Sequence, residues 1–371
     1  MKDTRAEFNV TLNGYRGLCA MFVFVFHLGS AGVIAWPGGS LLADAGYNLW
    51  ASLSYGVDMF FMISGFVILG SLLRHDRVGL FIQDRIVRIF TAWIPALLAV
   101  TAMCVALRLK VFADVSFIEG FWIFLANFFL LPPLAPVPLI HIGSWSLTYE
   151  WVFYLTAAAG ALAHRRAPGA LWATAVWAVP AALFICMYPR AMFFVTGVLV
   201  FKYRDRLVPY TRWLKFPLVS LLVFLIAWRC IGIDDDAHAT DTLTAFFADE
   251  RWLFALIAFL ASLHMFACVC LNSSRQVAFL NGRTFQFLGR ISYSFYLWHV
   301  LVMSAAKRLA ITYFTPMYGE TISFVSFALL SLGVAIPISW LSWRVFEVML
   351  ARRLRQALHR PPVVARAVSV P

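Results

Sequence analysis

Charge is scarce in this chain. Asp, Glu, Lys and Arg make up 13% of its 371 residues, hydrophobic residues make up 62%, and the mean hydropathy is +0.81. A soluble domain carries about 25% charged and about 45–50% apolar residues, so no water-soluble fold of this length could hide so much apolar surface. Acid is the rarer sign, 18 residues against 30 Lys and Arg. In a soluble protein the net charge of +12 would suggest nucleic acid. Here the basic residues lie between apolar runs, where membrane topology accounts for them and nucleic acid is not an expected partner. Metal and disulfide spacings are missing as well. Cys19, Cys104, Cys186, Cys230, Cys268 and Cys270 lie in or beside apolar stretches with no CxxC pair. They read as small packing residues, and no metal is expected. No cleavage site follows the apolar stretch from Leu18 to Phe26, so that stretch reads as an uncleaved first helix.

What the chain does have is long apolar segments. A spanning helix needs about 20 such residues. Ten candidates run near 12–34, 52–73, 89–108, 145–163, 170–187, 190–201, 216–231, 251–271, 290–311 and 322–347, the sixth of them short. The segment 121–131 stops at Leu131-Pro132-Pro133 and reads as re-entrant or surface-lying. With the N-terminus inside, Arg74, Arg77, Arg165, Arg166, Lys202, Arg204, Arg206, Arg275 and Arg283 fall on inner segments. Outer segments or edges keep only Arg108, Lys110, Arg190, Arg229, Arg251, Lys307 and Arg308, as the positive-inside rule requires. The loop with Asp234, Asp235, Asp236, Asp241, Asp249 and Glu250 reads as outer and solvated. The expected fold is an all-α polytopic membrane protein of about ten transmembrane helices with both termini cytoplasmic. Residues 1–350 form a single transmembrane domain and 351–371 a basic tail. No soluble domain or internal repeat is visible.

Polar residues inside lipid are costly and each is a functional hypothesis. Arg16 and His27 are eleven positions apart, which puts them within about 20° of one helix face and about 16 Å apart along its axis. A snorkelling arginine and a packing histidine are the plain structural alternative. Asp58, in Gly56-Val57-Asp58-Met59-Phe60-Phe61, sits where it could simply cap a helix. Ser64-Gly65 permits close helix packing. A loop carries Arg85-Ile86-Val87-Arg88, whose spacing puts two guanidiniums on one face, fit to grip phosphate or to serve as ordinary inside charge. Ser146 and Glu150 share a face of the helix that opens at Trp145, and Glu150 needs a partner, with Arg16 and His27 as candidates. His299 closes the run Ile291-Ser292-Tyr293-Ser294-Phe295-Tyr296-Leu297-Trp298-His299 and could be an interfacial residue.

Together these segments resemble the membrane acyltransferase-3 family, whose members acylate extracytoplasmic sugars in bacteria. Five signatures occur in order over roughly residues 10–347: the LDGLRG-type opening with arginine, ten residues and histidine; the GVD-x-FF-x-x-SGF stretch; R-x-x-R; WSL-x-x-E; and SYSxYLWH. Three positions depart from the pattern. Asn13 replaces a usual Asp, Thr91 a usual Pro, and Trp151 stands at the second of two frequent glutamates, leaving Glu150 as the acid.

The resemblance implies a multi-pass protein of the bacterial cytoplasmic (inner) membrane that takes acyl-CoA, acetyl by default, as donor substrate and holds no permanent cofactor. Arg16, Arg85 and Arg88 would grip the CoA phosphates. His27 would be the general base deep in the bundle, since its distance from Arg16 is comparable to an extended pantetheine arm. Glu150 or Asp58 would orient His27 or the acceptor, and His299 and Ser146 are further candidates. The acceptor would be a glycan such as an exopolysaccharide, an O-antigen or a lipid-linked sugar. Alternatives are acylation of a small molecule or lipo-oligosaccharide signal, and a non-enzymatic glycan transporter. Against a transporter, the sequence has no inverted repeat and no paired broken helices.

Overall fold

A computed structural model describes residues 9–36, 38–75, 77–108, 111–232 and 251–358, and every regular element among them is helical. In order these are α1 (Val10–Ser30), α2 (Leu41–Ala51), α3 (Gly56–Arg74), α4 (Val78–Ala106), α5 (Phe117–Phe128), α6 (Ser144–Arg166) and α7 (Leu171–Met187). They continue with α8 (Met192–Leu207), α9 (Pro217–Cys230), α10 (Arg251–Leu271), α11 (Arg283–Leu309), α12 (Thr315–Ser342) and α13 (Ala351–Leu358). Each of the ten apolar segments falls on a helix. Among the described residues, four stretches are long and apolar enough to cross a membrane: Leu41–Arg74, Val78–Ala106, Arg251–Leu271 and Arg283–Leu358. This is a membrane protein.

One expectation changes in detail. Arg85 and Arg88 lie inside α4, not in a loop, because α4 starts at Val78, well before the apolar run. A polar first stretch is tolerated there because Asp84 meets His75 at 2.9 Å and Arg355 at 3.3 Å. The segment 121–131 overlaps α5, a helix of 12 residues capped by Ser116, which accepts from the Glu119 N–H. Asn127 holds the chain that follows, donating to Pro138 O and accepting from the Ile140 N–H. The acidic loop from Asp234 to Glu250 and the tail beyond Leu358 lie outside the described residues.

Two helix crossings position the site. α1 packs on α11, and α3 packs on α8. A Cβ on Gly289 would lie 1.9 Å from Asn13 O, and one on Gly65 would lie 2.0 Å from Phe194 O. Only glycine lets the backbones approach this closely, the small-residue packing that replaces hydrophobic drive in lipid. The first crossing sets Arg16 against the helix bearing Tyr293, Tyr296 and His299. The second fixes Ser64 and Asp58 on α3. From α11 onward the chain is nearly continuous helix to Leu358, with π-helical turns at Ala310–Phe314 and Trp343–Leu350 and a break at Gly319 (φ 77°).

Candidate active site

Two cavities meet at a pair of arginines. A polar cavity of about 270 Å³ is bordered by Arg16, Arg88, Arg290, Arg355, Glu347 and Thr91, among others. A second, of about 70 Å³, is lined by Arg16, Arg88, Ser64, Ser146, Glu150, Tyr293 and Tyr296 together with apolar residues of α3. Arg16 and Arg88 belong to both. Neither makes a hydrogen bond or an ion pair to a described residue, and Arg16 Nε is buried without a partner. Glu150 and Glu347 stand on the cavity walls but hydrogen-bond to neither arginine, so both guanidiniums keep donors for a phosphate or carboxylate. Glu347 borders the polar cavity, and its Oε1 accepts from the Ser294 hydroxyl at 2.6 Å and the Ser294 N–H at 3.1 Å.

Arg85 takes no part in either cavity. Its guanidinium donates to the Ser71 hydroxyl at 3.1 Å and lies over the rings of Phe81 and Tyr154. Spacing of three leaves about 60° between side chains on a helix, enough to turn Arg85 toward α3 while Arg88 faces the cavities.

Glu150 finds its partners elsewhere than expected. Its Oε1 accepts from the Ser64 hydroxyl at 2.7 Å and from the Tyr154 hydroxyl one turn along α6. Neither Arg16 nor His27 bonds to it, although Arg16 shares its cavity. Ser146 meets the Tyr296 hydroxyl at 2.9 Å, and both hydroxyls reach Gly143 O at 3.0 Å.

Three histidines gather beyond this chamber. His27 stands in the last turn of α1, half-buried, and so nearer that helix's end than the middle of the bundle. Its ring centroid is 5.3 Å from that of His299. His299 is fully buried, and its Nδ1–H donates to Phe295 O at 2.9 Å. That fixes Nε2 as the nitrogen with the lone pair, and Nε2 has no partner. His141 is committed at both nitrogens. Its Nε2–H donates to Leu297 O at 2.8 Å, and its Nδ1 accepts from the Gly143 N–H at 3.0 Å. Among the described residues no cluster of His, Cys, Asp or Glu is arranged to hold a metal ion.

A model of the acyltransferase domain, the third acyltransferase family, matches residues 9–344. The chain belongs to this family. It is also similar to O-acetyltransferase OatA of Staphylococcus aureus strains NCTC 8325 / PS 47, COL and MRSA252, at 24% identity in each case. The match takes in 86% of this chain and 55% of the relative, so the chain spans about half the length of the curated relatives it matches. No solved structure matches it.

The departures from the family pattern acquire local explanations. Asn13 donates to Gln286 Oε1 at 2.9 Å and Gln286 O at 3.1 Å, so an amide pair stands where an aspartate would otherwise sit. Thr91 bonds back to Val87 O at 2.8 Å and borders the polar cavity. Trp151 packs edge-on to Phe90. The family's GVD aspartate, Asp58, is not directed at a histidine. Both of its oxygens accept from Arg190, at 2.9 and 2.7 Å, and that guanidinium lies 4.7 Å over Trp145. Arg190, Tyr154, His141 and Glu347 escaped the sequence reading. Only Tyr154 had a local signal, its i, i+4 spacing from Glu150.

Proposed function

We propose that this acyltransferase moves an acyl group, acetyl by default, from acyl-CoA to a hydroxyl of an extracytoplasmic or lipid-linked glycan, in a bacterial cytoplasmic membrane that it crosses about ten times with both termini inside. The observation that carries this reading is the pair Arg16 and Arg88, shared by two cavities and engaged by no described residue. The phosphates of CoA would supply the hydrogen-bond acceptors that Glu150 and Glu347, on the cavity walls, do not offer the pair. Arg290 and Arg355 at the same polar cavity extend the cationic surface at the end that the loop charges assign to the cytoplasm. The pantetheine arm would then run along α1. In the transfer step the neutral imidazole of His27 takes the proton of the acceptor hydroxyl as its oxygen attacks the thioester carbon. The C–S bond breaks, and the CoA sulfur leaves as thiolate and takes the proton from the imidazolium, which returns His27 to its neutral form. His299 Nε2 offers a second basic nitrogen beside His27. The relatives named O-acetyltransferase favour an ester product, by analogy.

The test is a CoA titration of purified protein. Arg16→Gln and Arg88→Gln are each expected to weaken CoA binding about 10–100-fold, the size of one charged hydrogen bond. Lysine should rescue only partly, because it lacks the planar fork. Unchanged affinity in both glutamine variants would remove the donor site from this cavity. Surface glycan from a deletion strain should have lost an ester.

A further inference from the structure

The end of α1 that carries His27 is flanked by a cluster of aromatic rings outside the donor path. The ring of Phe26 lies 5.1 Å from His27 and stacks on Trp50 at 5.4 Å and 23°. Trp50 in turn carries Trp36 at 4.6 Å and Tyr47 at 5.4 Å, and Trp36 meets Tyr47 edge-on at 5.6 Å. Trp50 is held in place. Its Nε1–H donates to Val25 O at 3.1 Å, and it packs where Gly29 has no side chain, since a Cβ there would lie 2.5 Å from the indole. Trp36 and Tyr47 rest on this pedestal with 40% and 39% of their surface open. Polar groups border them. Asn48, next to Tyr47, donates to Asp44 O at 3.0 Å and accepts from Arg229 Nε at 3.2 Å, at an exposed rim.

We propose that Trp36, Tyr47 and Trp50 form the acceptor subsite, on which a pyranose ring of the glycan stacks with one hydroxyl turned toward His27. The proposal rests on the glycan reading of the function and names the residues that would recognise the sugar. A pyranose chair has a face of C–H groups and a rim of hydroxyls. Its C–H face is desolvated against an indole or phenol face, whose π density attracts the C–H dipoles. The hydroxyls then need polar partners at the edge, where Asp44 and Asn48 are exposed and Arg229 adjoins them. Rigid rings with few rotors lose little entropy on binding, and the fixed pedestal under Trp36 removes more of that cost. Aromatic residues that only anchor a protein at the bilayer surface need no such convergence on one immobilised indole. Here the rings converge one side chain away from the proposed base.

Two double variants separate the possibilities. Trp36→Leu with Tyr47→Leu keeps apolar bulk but removes the flat faces. Trp36→Phe with Tyr47→Phe keeps flat faces. Each is expressed in the deletion strain beside the wild-type protein, and ester on the purified surface glycan is measured per molecule of membrane-inserted protein. CoA affinity is measured on the purified proteins. The leucine pair should lose about tenfold or more of its ester, the phenylalanine pair should keep most of it, and CoA affinity should be the same in all three. A leucine pair with wild-type ester per molecule would make the rings a bilayer anchor and overturn the proposal, as would a phenylalanine pair as poor as the leucine pair. If the wild-type protein itself restores no ester to the deletion strain, the glycan reading fails first, a result distinct from either variant's behaviour.

Discussion

Arg190 and Arg16 are both arginines sunk among apolar helices, and the molecule treats them in opposite ways. Arg190 has a carboxylate to itself, bound through two hydrogen bonds, with 11% of the arginine and 0% of Asp58 exposed and an indole beneath. Arg16 has a buried Nε without a partner and a second free guanidinium, that of Arg88, across shared cavities. The histidines repeat the contrast. His141 has both nitrogens spent on backbone, whereas His299 spends one and leaves the other unmatched beside His27. A polar group saturated by the protein holds structure. One left unsaturated costs the empty protein stability, which is why the proposed reading places ligands at Arg16 and His299 rather than at Arg190 and His141.

Each side of that contrast can be broken separately. The largest expected effect is on rate. His27→Gln keeps size and hydrogen bonding but removes the base, so acyl transfer should fall about 10²–10⁴-fold with insertion and CoA affinity preserved. His141→Gln should do the reverse, lowering thermal stability while specific activity per folded molecule holds. Near-normal transfer by His27→Gln would pass the role of base to His299. Next is the buried ion pair. Asp58→Asn strands the Arg190 charge and should cost about 3–5 kcal/mol of stability, read as a fall in unfolding temperature. Adding Arg190→Gln should recover part of the loss. A stable Asp58→Asn protein with impaired CoA binding would reverse the contrast. The smallest effect is at Asn13. Asn13→Ala deletes two hydrogen bonds to Gln286 and should cost about 1 kcal/mol, read as a small fall in unfolding temperature.

The helices were legible because lipid imposes one rule on every residue of a span, and that rule acts on local sequence. Arg16 could be read for the same reason, as a charge within an apolar run. Partners were not legible. Asp58 and Arg190 are 132 positions apart, and nothing local to either names the other. Glu150 was expected to seek a cation or imidazole, but a serine and a tyrosine satisfy its oxygen. Arg85 and Arg88 look equivalent in the sequence, and only packing against Ser71 and Tyr154 divides them. Glu347 sits on a π-helical turn, where the altered winding changes which way a side chain faces, so α-helical spacing could not assign it to the arginine cavity.

α1 carries both Arg16 and His27 without interruption from Val10 to Ser30. Their separation is therefore written into covalent geometry, about 1.5 Å for each residue between them, and side-chain repacking can do little to stretch it. The same rod is clamped to α11 where Asn13 meets Gly289, and sliding there would drive one backbone into the other. The helix thus acts as a gauge block. Under the proposed function, a donor anchored at Arg16 would deliver its reactive end at one height, set by a fixed measure rather than by a pocket that adapts.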